Sequence, residues 1–123
     1  QPEDAFPHFL GYEDETGKGA GEGFNLNFAL PPKTKFEPWR DCLKKSMEKI
    51  SKYAPDALVV SLGTDTFEKD PISFFKLTSK DFNTYGADLA QLDLPTLFVM
   101  EGGYAVEEIG INSVNVLQGF ENA

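Results

Sequence analysis

Two hydrophobic periods alternate along the chain. Phe24-Asn-Leu-Asn-Phe28 switches between apolar and polar at every residue, which predicts a half-buried strand, and Pro31 and Pro32 stop it. Trp39, Leu43, Met47, Ile50 and Tyr53 then recur at helical spacing. Thr34 and Glu37 have the spacing of a capping box in front of that helix, and Pro55 ends it. Ala57–Ser61 and Thr96–Met100 are short continuous apolar runs, the signature of buried strands, and Pro95 introduces the second. Between them, Thr78-Ser-Lys-Asp81 predicts a helix start, with Phe82, Tyr85 and Leu89 on one face. A last helix is expected from about Val106 to Phe120, with Ile109, Val114 and Leu117 facing inward.

The order is a long loop over residues 1–23, then strand and helix three times over. That order predicts an α/β fold: a parallel sheet of about three strands with flanking helices. At 123 residues the chain is one domain at most, and short for an α/β enzyme. The apolar fraction of 41% is that of a globular chain and argues against disorder. Eleven phenylalanines demand a core or a partner surface.

The net charge of −9 argues against nucleic-acid binding through a basic surface and suits cationic ligands such as polyamines or lysine side chains. An acidic balance also serves plain solubility. Cys42 is the sole cysteine, so an intrachain disulfide and a cysteine-based zinc site are excluded. No run reaches the ~18 apolar residues of a membrane span, no signal peptide is visible, and a cytoplasmic or similarly reducing location is expected. The first residue is Gln1 instead of Met, which suggests that an upstream part is missing.

Chemistry concentrates where the two apolar runs end. Ser61-Leu-Gly-Thr-Asp65 and Glu101-Gly-Gly-Tyr104 place a carboxylate and a phenol just beyond two strand tips, the rim where ligands bind in open α/β sheets. Asp65 could ligate zinc or another divalent ion, or simply cap the turn after its strand. Asp70 could be a second carboxylate, although Asp-Pro is a common turn element. Tyr104 could donate a hydrogen bond to a developing oxyanion, or be a half-buried aromatic at a helix start. Glu101 could act as base or ligand, or tie down its loop. Gly19-Ala-Gly-Glu-Gly23 does not join a strand to a helix and lacks the following Lys-Ser/Thr of a phosphate loop. His8, the sole histidine, cannot serve both as ligand and as base, and a surface position is expected.

Phe6-Pro7, Gly19–Asn27, Ser61–Asp65 with Asp70-Pro71, Phe75–Thr78 and Glu101–Tyr104 occur together in order and spacing. In this combination they resemble the C-terminal part of the histone deacetylase superfamily, in its acetylpolyamine amidohydrolase branch, across essentially the whole chain. The resemblance implies an arginase/deacetylase-like fold and zinc-dependent removal of acetyl groups from acetylpolyamines or acetyl-lysine-like amines. It implies Asp65 as one zinc ligand and Tyr104 as the residue that polarises the acetyl carbonyl. It further implies that Phe6 and Ile72 line the substrate tunnel, with Gly102 and Gly103 of the Gly-Gly-Tyr turn beside the substrate.

The superfamily's paired histidines and its Asp-x-His zinc motif have no counterpart here. Residues 1–123 are therefore expected to be the C-terminal portion of a larger deacetylase domain, inactive alone, without tight zinc binding, and prone to self-association through exposed edges. Two other readings stay open at this level. One is a free-standing small α/β protein that binds or oligomerises without catalysis; the other, less supported, is a nucleotide-binding domain.

Overall fold

The computed structural model describes residues 8–123 and divides the chain into two compact units, one ending at Pro32 and one spanning Lys33–Ala123. Phe6, an expected tunnel residue, lies outside the described residues.

The first unit is a loop tied by its own polar side chains. The Glu15 carboxylate accepts the N–H groups of Gly11 (2.7 Å) and Tyr12 (3.0 Å) and the Asn27 amide (3.3 Å). Asn27 also donates to the Tyr12 carbonyl (2.9 Å), and Asn25 donates to that of Glu15. Residues 24–28 form no strand; Phe24 and Leu26 are exposed. The alternating pattern predicts a strand here, but the sheet among the described residues consists of β-strands elsewhere in the chain and does not include this segment. The glycine run makes a single 3-10 turn, Gly19–Gly21, instead of a phosphate loop. Gly17 is required here, since its φ of +107° is left-handed and a side chain would strike the Gly21 carbonyl.

The second unit contains α1 (Phe36–Tyr53), β1 (Leu58–Leu62), α2 (Ser79–Ala90), β2 (Thr96–Met100) and α3 (Ile109–Glu121). The sheet among the described residues has two strands, not three. β1 and β2 run parallel, in register from Leu58 against Thr96 to Leu62 against Met100. Their alternation sends Leu58, Val60, Leu62 and Phe98 toward the core, and leaves Val59 (64% exposed) and Leu97 (59%) bare on the other face.

The helix start expected at Thr78 is present, and Thr78 and Asp81 form a capping box there: the Asp81 carboxylate accepts both the Thr78 N–H (2.7 Å) and its hydroxyl (2.8 Å). The box expected before α1 is absent. Lys35 is the N-cap there, and Thr34 is instead buried where residues 34–35 meet Lys76 through the Lys76 N–H to Thr34 carbonyl bond (2.9 Å). Ala54, in the left-handed region at φ 53°, and then Pro55 terminate α1.

The core gathers Leu62, Phe67, Leu77, Phe82, Tyr85, Leu89 and Val116. Phe82 packs at 5.3 Å from Tyr85 and 6.4 Å from Phe67, and Trp39 of α1 reaches Tyr85 at 5.0 Å. Arg40 and Asp88 join α1 to α2 through a bidentate pair at 2.6 and 2.7 Å, which holds the guanidinium pKa above its ordinary value. Burial pushes the Tyr85 phenol strongly up.

α3 turns a different face inward from the one expected. Asn112, Val116 and Gly119 are buried, spaced three or four residues apart, whereas Val114 and Leu117 are exposed and Ile109 is half-buried. Small residues decided this. Gly119 lies against the backbone of Asn83 and Ala87, and Gly86 lies against that of Val116, so α2 and α3 touch main chain to main chain. Bulky residues at those places would hold the helices apart; the larger apolar side chains are left on the outside.

Candidate active site at two strand tips

Parallel pairing brings the ends of β1 and β2 together. The ladder continues past the strands: the Glu101 N–H donates to the Leu62 carbonyl (3.0 Å) and the Thr64 N–H to the Gly102 carbonyl (2.6 Å). The two turns of interest are therefore stitched side by side. Thr64, buried to 2% exposure, fits because Gly103 has no side chain; a Cβ there would collide with the Thr64 hydroxyl.

Asp65 sits on the β1 turn, half-buried, with its carboxylate between two glycines. A Cβ on Gly63 would come within 3.0 Å of Oδ1, and one on Gly102 would collide with Oδ2. Loss of water raises the Asp65 pKa above its ordinary value; its own backbone N–H opposes this and the nearby Asp70 charge adds to it. A carboxylate kept ionised in such a place is energetically unfavourable without a cation. Carboxylates of this kind cluster at functional sites.

Asp70 has the opposite environment. It is buried, and its oxygens take three backbone donors: Ile72 N–H at Oδ1 (3.0 Å), and Tyr104 N–H (2.7 Å) and Ala105 N–H (3.3 Å) at Oδ2. Sequence reasoning placed Asp70 in a turn, and it does form one, but the link to Tyr104 was missed. The missed signal is that a Gly-Gly turn leading into a helix leaves backbone N–H groups without partners, so a buried acceptor is needed somewhere.

Tyr104 follows the two glycines and is 51% exposed, and Ile72 is 57% exposed on the turn after Asp70. Asp65, Gly102, Gly103 and Tyr104 are thus assembled at one rim, with Ile72 linked to it through Asp70. Glu101 is exposed and contributes its backbone N–H to the ladder. His8 is exposed, as expected, and Cys42 is half-buried in α1.

Zinc needs three or four protein ligands. Among the described residues no group of three His, Cys, Asp or Glu side chains converges, and Asp70 is already engaged by backbone donors. These residues do not by themselves complete a zinc site.

The family model of the histone deacetylase domain matches residues 1–120. The chain belongs to the histone deacetylase family. It is 56% identical over 122 residues to acetylpolyamine amidohydrolase 1 of Pseudomonas aeruginosa, covering 99% of this chain and 35% of that protein. It is 54% identical over 118 residues to the acetylpolyamine amidohydrolase of Mycoplana ramosa, covering 96% of this chain and again 35% of the relative. A crystal structure of acetylpolyamine aminohydrolase from Burkholderia pseudomallei superposes with a TM-score of 0.94 at 34% identity, over 98% of this chain and 35% of that one. The arginase/deacetylase-like α/β fold expected from the motifs is therefore present, and the chain spans about a third of the length of the deacetylase-family relatives it matches. No helix among the described residues is long and apolar enough to cross a membrane.

Proposed function

We propose that residues 1–123 are the C-terminal portion of a zinc-dependent amidohydrolase that removes acetyl groups from acetylated polyamines, and that the portion alone is inactive. The supporting observation is the Asp65 carboxylate lodged against Gly102, two residues before Tyr104, in a chain 56% identical to an acetylpolyamine amidohydrolase. In the complete enzyme Asp65 is one of the zinc ligands, the others lying outside this chain. Zinc bound there would supply Lewis-acid chemistry. Tyr104 donates its phenolic O–H to the oxygen that gains charge as the amide carbon becomes tetrahedral. Ile72 walls the acyl tunnel, and Gly102 and Gly103 keep the turn thin enough for substrate to pass. The acidic surface draws the cationic remainder of a polyamine toward the rim, and acetyl-lysine-like amines share that chemistry. The setting proposed for this enzyme is the cytoplasm.

The complete enzyme is expected to release acetate from an N-acetylated diamine and to lose that activity on chelation, while the 123-residue chain has none. Chelator-resistant hydrolysis by the complete enzyme, or turnover by the chain alone, would refute the proposal. The bare apolar face at Val59 and Leu97 favours one further property, self-association of the isolated chain. Sedimentation of a clean monomer would count against it.

A further inference from the structure

We propose that Asp70 is the positioning residue for Tyr104 and Ile72, a buried carboxylate that fixes the phenol-bearing turn and the adjoining tunnel wall relative to each other. The inference rests on the reading of Tyr104 given above. An aspartate that merely forms the Asp70-Pro71 turn needs only one oxygen, the one that accepts the Ile72 N–H at 3.0 Å. The other oxygen reaches across 34 residues of sequence to the Tyr104 N–H at 2.7 Å and continues to the Ala105 N–H at 3.3 Å. These two donors lie just beyond the last inter-turn bond, from Thr64 to Gly102, and just before the Ala105 carbonyl that accepts the first bonds of α3. Within the segment between β2 and α3, Asp70 is thus the anchor that holds the Tyr104 backbone. Its own backbone is secured in turn, through its N–H to the Phe67 carbonyl (3.0 Å) and its carbonyl to the Ser73 N–H (3.2 Å), with Phe67 in the core. A charged acceptor makes such bonds shorter and stronger than a neutral one. The consequence is that the phenol's position is set from the loop after β1, and any loosening there is felt as a misplaced oxyanion donor.

The test is a double-mutant cycle in the complete enzyme, with Asp70→Asn, Tyr104→Phe and the pair. Asp70→Asn preserves shape and removes the charge. It is expected to lower kcat roughly 10- to 100-fold, the scale of an ångström-sized misplacement, with KM changed far less. In the Tyr104→Phe background it should cost far less, only the share that acts through Ile72 remaining. Asp70→Asn with wild-type kcat, or a loss that multiplies with that of Tyr104→Phe, would overturn the inference. If Tyr104→Phe itself leaves kcat unchanged, the reading of Tyr104 as oxyanion donor fails instead. The anchor is then judged by NMR of the wild-type 123-residue chain, which also serves if Asp70→Asn does not fold. A slowly exchanging, strongly downfield Tyr104 amide is expected; a Tyr104 amide that exchanges as fast as an exposed loop would overturn the anchor.

Discussion

Alanine at Gly119 and alanine at Gly110 should shift stability in opposite directions, although both residues lie in α3. A glycine-to-alanine change in a helix is intrinsically favourable by about 1 kcal/mol. At Gly110 nothing lies within 4 Å of the added methyl, so that gain is realised and the variant should be stabilised by about 0.4–1 kcal/mol. At Gly119 the methyl would overlap the Asn83 carbonyl oxygen, and would sit 2.8 Å from the Asn83 carbonyl carbon and 3.1 Å from the Ala87 nitrogen. These are backbone atoms of α2 and cannot rotate away. The helices must separate, which loosens the packing of Val116 and Phe82, and overpacking of a well-filled interior costs about 1–3 kcal/mol. A net loss of up to about 2 kcal/mol remains after the intrinsic gain. Thermal unfolding followed by circular dichroism should place the Gly119→Ala midpoint several degrees below wild type and the Gly110→Ala midpoint above it, at ~4 °C per kcal/mol for a domain of this size. A Gly119→Ala variant as stable as Gly110→Ala would show that the α2–α3 crossing is not the close one described.

Three further outcomes follow from the same geometry. Asp65→Asn should stabilise the chain at neutral pH: with its folded pKa raised, ionised Asp65 opposes folding increasingly as pH rises above its ordinary value of 3.8, so the gain in melting temperature should vanish below that value. An equal gain at both pH values would show that charge is not the cause. Gly103→Ala, whose methyl strikes the buried Thr64 hydroxyl, should lower both the melting temperature and, about 10- to 100-fold, the kcat of the complete enzyme, and unaltered kcat would contradict the tight turn. Arg40→Ala strands the Asp88 carboxylate, whose side chain is 7% exposed, and should cost about 2–4 kcal/mol in urea unfolding; a loss below about 0.5 kcal/mol would mean the pair is no stronger than a surface one.

How far the sequence carried this picture depended on whether the relevant forces were local. The strands at 57–61 and 96–100 were legible to within a residue because short apolar runs bounded by turn residues have few other uses. The α2 start was legible because Thr78 and Asp81 satisfy each other directly. Phe24–Phe28 was misread because alternation signals extended chain but says nothing about whether a neighbouring strand is present. The inward face of α3 was misread for a related reason: size, not hydrophobicity, chose Gly119 and Val116 for the contact with α2, a choice set by a helix some thirty residues earlier. Asp65 and Tyr104 could be paired from the motifs. Asp70 could not, because its link to Tyr104 joins two loops distant in sequence, with the glycines beside it visible only as gaps.

Asp65 and Tyr104, at adjacent strand tips, are proposed to serve one deacetylase site as metal holder and oxyanion donor. Metal analysis of the complete enzyme bearing Asp65→Ala or Tyr104→Phe tests this claim most directly. Asp65→Ala should lose its stoichiometric zinc, and Tyr104→Phe should keep it while losing turnover. Full zinc occupancy in Asp65→Ala would contradict the claim.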